Sequence, residues 1–372
     1  MPLESGNRVL TSSGTLALKR WAGLATIALA ACWAFLRSGT GVMPDLQTFT
    51  AWALSWPATA TEPLQEVYFS SPLGHVTAQV LQATTESRFL WLHTLTAIAA
   101  IAGLACWSYL SAGGDGRNQA ARLVILTPIT AILLAWLGYY DAFTVVCWVL
   151  ALFAWRTGWR PLMIAAGVLL GFQHFEQAAL GALAWLLAWA ALRTTDAFSS
   201  HRSPAWVLLG VPLGKLALIA VLTMSGTGSD QGRLGWLTDT AMLRTTVSTA
   251  VNNGPLLLWS MFAGFWVIVI YAFLGLPGRR ERWCLIAAVG LPLFMTLVTF
   301  DRPRVFALTT IPIVAMLSVV FAQEMRKQGD GRLRLTLEAI VWLGTPLIFW
   351  GQTLFNFGAL DRIIVLYGAL IP

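Results

Sequence analysis

Residues 38–57 read SGTGVMPDLQTFTAWALSWP and lie between the first two strongly apolar runs of the chain, at about 21–36 and 89–110. They open a long segment, Ser38 to Glu86, that cannot cross a bilayer core as a simple span. Leu46, Phe49, Trp52 and Trp56 recur at roughly helical spacing, which predicts an amphipathic helix on the membrane surface with that face in the lipid. Pro57 and Pro63 interrupt it. The run Tyr68 to His75 then opens a second short helix in which Leu73, Val76 and Val80 share a face. Connections in compact proteins have a median of about 4–6 residues, so a loop of this length is more than a connector. It carries Asp45, Glu62, Glu66, Tyr68, His75 and Glu86, with Arg88 at its exit.

The whole chain has 372 residues, of which 57% are hydrophobic and 11% charged, and its mean hydropathy is +0.68. A soluble domain carries about 25% charged residues, so the fold class is all-α and polytopic in a membrane. The net charge of +7 does not point to nucleic acid, because the basic residues are spread over short loops. Cys32, Cys106, Cys147 and Cys284 each sit alone inside apolar runs, which excludes a disulfide framework or a thiolate metal site.

Residues 1–20 form a polar, basic tail, and residues 21–372 a single multi-span membrane domain. Apolar runs follow at 21–36, 89–110, 122–138, 142–155, 161–173, 178–192, 205–224, 254–276, 283–300, 305–322 and 336–355, which predicts about eleven spans. The break near Phe172–Gln177 reads as an unwound turn at membrane depth. With the N-terminus in the cytoplasm, Lys and Arg in the loops divide sixteen inside to seven outside, which favours that orientation. Both long loops, 38–88 and 225–253, then face outward. The first of them holds the amphipathic surface helices.

The outward positions collect the residues that suit chemistry. Asp45 sits just past the first span, where partial desolvation suits a general base; as an N-cap for the helix starting at Leu46 it has an equally good structural reading. Asp301-Arg302-Pro303-Arg304 presents two guanidiniums suited to a phosphate or pyrophosphate, against an Asp–Arg pair with a snorkelling anchor. Gln173-His174-Phe175-Glu176-Gln177 places polar groups between two apolar runs, where they line a pocket, join Asp141 on a divalent metal or sugar, or form a satisfied turn. Tyr139 and Tyr140 end a span in an interfacial aromatic belt, and Asp141 reads equally as part of that span end or as a second acid in the site. Lys215, inside a span, either pairs with a carboxylate such as Glu176 or holds an anion. His93 reads as a core histidine. Asp230, Arg233, Asp239 and Arg244 belong to the loop at 225–253. No nucleotide-binding glycine motif occurs.

A cytoplasmic N-terminus, one span, a long outward loop with an early acidic residue, and then many spans with short loops resembles the GT-C superfamily of glycosyltransferases. The resemblance is architectural and covers mainly residues 1–220. It implies transfer of a sugar from a polyprenyl-phosphate donor, with Asp45 as the base and Arg302, Arg304 or Arg244 clamping the donor phosphate. Glu176 is the substitute base, and Arg88, His174, Asp141, Lys215, Tyr68 and His75 complete the candidate substrate residues. The partners expected are the lipid-linked sugar, membrane lipid and an acceptor glycan, lipid or protein, in a bacterial inner or plasma membrane with the site facing outward. A cofactor is not demanded, and a divalent metal stays open. The competing reading is a transporter or flippase for a lipid-linked or anionic substrate, which an intramembrane lysine and a broken span would also suit.

Overall fold

The computed structural model describes residues 7–42, 45–58, 60, 65, 68–226, 240–297, 299, 302–344, 346, 348–350 and 353–355. Its helices are α1 (Asn7–Ser38), α2 (Leu46–Ser55), α3 (Leu73–Val80), α4 (Glu86–Ala112), α5 (Arg117–Ile125), α6 (Pro128–Ala135), α7 (Asp141–Thr157), α8 (Arg160–Leu192) and α9 (Ala205–Met224). They continue with α10 (Thr240–Asn252), α11 (Gly254–Phe262), α12 (Trp266–Gly275), α13 (Arg279–Leu297), α14 (Arg302–Gln328) and α15 (Gly331–Leu343). A small antiparallel hairpin, β1 (Ile348–Trp350) with β2 (Thr353–Phe355), follows.

Six helical segments among the described residues are long and apolar enough to cross a membrane, or seven if the bent pair formed by Gly114–Ile125 and Pro128–Ala135 counts as one span. This marks a multi-pass membrane protein with fewer such segments than the eleven apolar runs. Two of the differences have local causes. The run at 122–138 is bent by 45° where Pro128 starts a new helix, since proline removes a backbone donor and crowds the preceding turn. The run at 336–355 is no single helix, because α15 ends at Leu343 and two short strands follow.

The central post is α14, with 94% of its spanning window buried. Beside it the chain reverses where the sequence predicts a break, near Phe172–Gln177. The backbone leaves helical geometry at His174 (φ −162°, ψ 82°) inside α8. An unbroken helix would put Arg160 and Trp189 about 43 Å apart. Instead both lie at one end: Arg160 sits over the Trp206 ring, Arg202 donates to the Gly158 carbonyl, and the Trp189 indole donates to the His201 carbonyl. At the other end the Gln173 side chain donates to the Tyr140 carbonyl, and Tyr140 meets the His174 ring. Thus α8 is a helical hairpin, one arm rising to His174 and the second returning beside α7, where Trp148 and Trp155 both pack on Trp185.

Glycine spacing holds the rising arm to α9. Gly167 and Gly171 face Gly210 and Gly214, and a Cβ built at any of the four would run into the backbone of the partner helix. Two small-xxx-small motifs therefore meet, the arrangement that lets helix backbones approach closely in lipid. Two arginines expected in loops are also internal. Arg37 donates to the carbonyls of Val341, Trp342, Gly344 and Leu126, satisfying the open C-terminal end of α15 and the α5–α6 bend. Arg122 pairs with Glu338 at 2.6 Å, with Gln119 and Thr26 completing the network.

Candidate functional site

The helices of the first loop are amphipathic, but they face the other way from the sequence expectation. Leu46, Phe49 and Trp56 are buried in the protein. Phe49 packs edge-on against Tyr68 at 4.8 Å and Tyr139 at 6.0 Å. On α3 the buried residues are Gly74, His75 and Ala78, whereas Val80 is 74% exposed. The physical reason is that lipid accepts an apolar exterior, so an apolar face alone does not say which side faces the core.

These helices roof an aromatic and charged cluster. His75 donates from Nε2 to the Tyr68 carbonyl at 3.0 Å, and its ring meets Tyr68, Phe69 and Trp56. Burial pushes the His75 imidazole down to about 4 and raises the Tyr68 phenol far above its ordinary range. Desolvation is the leading cause in both, because it penalises the charged form. Beneath them, Tyr139 and Tyr140 flank the Arg304 guanidinium, with ring centroids 4.5 Å and 5.5 Å from its central carbon. Arg304 donates to Asp141 at 3.1 Å. His93 is a buried core histidine, as its sequence context suggested, and donates from Nδ1 to the Tyr139 carbonyl at 2.9 Å.

Tyr140 joins this cluster to a second. Its ring lies 5.6 Å from His174, whose Nδ1 is 3.6 Å from one oxygen of Glu176. The other Glu176 oxygen is 3.7 Å from the Lys215 ammonium, which also sits over Phe175. Of the two sequence readings of Lys215, the structure shows the pairing with Glu176. Gln173, at the same turn, accepts from the Leu73 backbone N–H and ties α3 to the hairpin tip.

Sequence-predicted residues fall into three groups. Tyr68, His75, Tyr139, Tyr140, Asp141, Arg304, His174, Glu176 and Lys215 are linked by these contacts. Arg302, 1% exposed, precedes Arg304 by two residues on α14 and donates to the Thr246 carbonyl on α10, two residues from exposed Arg244. Arg88 and Glu86 are exposed at the start of α4 and, among the described residues, their side chains make no contact with the cluster. Glu62, Glu66, Asp230, Arg233, Asp239 and Asp301 lie outside the described residues.

Asp45 departs from its capping role. It occupies the N-cap position of α2 at φ 57°, ψ 40°, and its side chain makes no capping hydrogen bond. Among the described residues, its one hydrogen bond is from the Phe49 N–H to its carbonyl. Left-handed backbone at a residue with a Cβ costs of order 1 kcal/mol and persists where the surroundings impose it. Here they do: Val42, three residues earlier, is bridged to Leu137, and Phe49, one turn later, is wedged between Tyr68 and Tyr139. Asp45 therefore stands exposed, with its backbone held between Val42 and Phe49.

The Asp–Arg pairing expected within residues 301–304 involves Asp301, which lies outside the described residues; Arg304 pairs across the fold with Asp141. Among the described residues no group of three or more His, Cys, Asp and Glu is placed to hold a metal; Asp141 is engaged by Arg304 and Glu176 by Lys215. Sequence reasoning missed the glycine ladder of α8 and α9, although GVLLG at 167–171 and GVPLG at 210–214 show its spacing directly. It also missed the internal roles of Arg37 and Arg122, for which neighbouring residues give no local signal. Compared with protein-family models, curated proteins and solved structures, the chain finds no match.

Proposed function

We propose that this protein is a membrane glycosyltransferase of the GT-C type, moving a sugar from a polyprenyl-phosphate donor to an acceptor on the non-cytoplasmic side of a bacterial inner or plasma membrane. The observation that supports the reading is Asp45: an exposed carboxylate with no hydrogen-bond donor among the described residues, held on left-handed backbone one turn before Phe49, which packs on Tyr68 and Tyr139. Strain held at one exposed acid suits a group positioned for reaction.

In this reading Asp45 takes the proton of the acceptor hydroxyl as that oxygen attacks the anomeric carbon. The bond from that carbon to the phosphate oxygen breaks, and the phosphate leaves with its charge met by arginine. The phosphate is assigned to Arg302 and Arg244, because Arg304 is already engaged by Asp141. A single displacement inverts the anomeric centre, and proton removal by a positioned base contributes about 10²–10⁴-fold.

The test is transfer from a panel of labelled polyprenyl-monophosphate sugars by the purified protein in nanodiscs. Asp45→Asn should lose transfer by at least ~100-fold and melt like wild type. Asp45→Gly should lose transfer equally while melting slightly higher, because glycine relieves the positive φ. Wild-type transfer rates in Asp45→Asn would end the assignment. The second reading, a transporter or flippase, draws on the His174–Glu176–Lys215 chain at the tip of a broken helix. In that case Glu176→Gln should stop movement of the substrate across the membrane and Asp45→Asn should not.

A further inference from the structure

We infer that the notch between the start of α8 and the start of α9 holds the headgroup of an anionic phospholipid. This end of the bundle is where the arginines gather, and at the notch they come together in a particular way. The Arg160 guanidinium lies over the Trp206 indole at 4.9 Å, and Arg193 lies over Trp189 at 5.4 Å. Arg202 donates one N–H to the Gly158 carbonyl. All three arginines are exposed, and among the described residues none of them meets a carboxylate. The nearby acid Asp196 is occupied by Lys327 at 2.8 Å.

A guanidinium stacked on an aromatic face keeps its in-plane N–H groups directed sideways, where they match the oxygens of a phosphate. The rest of the notch suits lipid tails. Trp159 is 61% exposed, and Leu162 and Leu209 are exposed beside it on the two helices. Cationic fork and apolar wall thus adjoin on one lipid-facing surface, which suits a molecule with a phosphate head and acyl chains better than a free phosphate. The lipid would bind Arg160 from α8 and Arg202 and Trp206 from the α9 side, bracing the helix pair that the glycine ladder joins. The inference is independent of the transferase reading, because the notch lies at the opposite end of α8 from His174.

The experiment is native mass spectrometry of the full-length protein released from nanodiscs containing phosphatidylglycerol and phosphatidylcholine, with melting followed in parallel. Wild type should retain phosphatidylglycerol preferentially. Arg160→Ala should lower that retention about fivefold and Arg160→Ala/Arg202→Ala about 30-fold, as one and two arginines at an anionic headgroup imply. Arg160→Lys should fall between, since lysine keeps the charge and loses the fork. Melting in pure phosphatidylcholine should be unchanged in all three, which separates lost lipid from lost fold. Equal retention of both lipids by wild type, or undiminished phosphatidylglycerol on the double variant, would overturn the inference. So would displacement of the lipid by millimolar glycerophosphate, which would make the notch a site for soluble phosphate.

Discussion

Replacing Arg304 with methionine asks whether its guanidinium belongs to the fold or to a substrate. Asp141 is 1% exposed and Arg304 7%, at 3.1 Å between Nη1 and Oδ1. Breaking a buried pair by removing one partner leaves an uncompensated charge and costs about 3–5 kcal/mol. Loss of the contacts to Tyr139 and Tyr140 adds up to about 1–2 kcal/mol. Arg304→Met should therefore destabilise by roughly 5 kcal/mol, and Asp141→Asn by somewhat less, because asparagine still accepts a hydrogen bond. The double variant should be more stable than the sum of the single losses predicts, by at least about 1.5 kcal/mol of coupling. Unfolding of the detergent-solubilised protein in increasing denaturing detergent, followed by tryptophan fluorescence, reads all three. A loss below about 1 kcal/mol in Arg304→Met, or strict additivity in the double variant, would refute the reasoning and return Arg304 to the list of groups reserved for an anion.

Two further outcomes follow from other parts of the fold. Gly171→Ile should cost more than about 3 kcal/mol, because a side chain there meets the Val211 backbone rather than a movable side chain; wild-type unfolding of that variant would mean that the two glycine pairs do not face each other. His75 makes stability fall on the acid side: its folded-state value of about 4 lies below the ordinary ~6.5, so the unfolded chain takes up the proton first. Its contribution is present above about pH 6.5 and lost as the pH falls toward 4. His75→Gln should flatten the fall in melting temperature between pH 7 and pH 4.5, and parallel curves for the two proteins would count against it.

How far the sequence reaches depends on the range of the interaction. Apolar runs and the polar interruption at Gln173–Gln177 are local features, so membrane helices and the turn at His174 were legible. The Lys215–Glu176 pair was legible too, since an isolated charge in a span demands a partner and few carboxylates were available. Arg304 with Asp141 is a different case, because residues 163 positions apart meet only after packing, and adjacent Asp301 offered a nearer pairing. The inward face of α2 was misjudged because lipid and protein core attract the same side chains. Asp45 reads in the sequence as a base or an N-cap; the absence of its capping bond and its left-handed backbone, beside a long-range bridge from Val42 to Leu137, are encoded in no local pattern.

The reversal at His174 sets the parity of everything that follows it in the chain. A reader who took residues 160–192 as one crossing would place everything after Leu192 on the wrong side of the bilayer, and every later loop would change compartment with it. Because the two arms return to one end of the bundle, the ends of α7 and α8 and the start of α9 lie together there, as the contacts of Arg160, Trp189 and Arg202 show. A protease or labelling reagent that reaches Gly158 and Arg202 from the same side would display that even count directly.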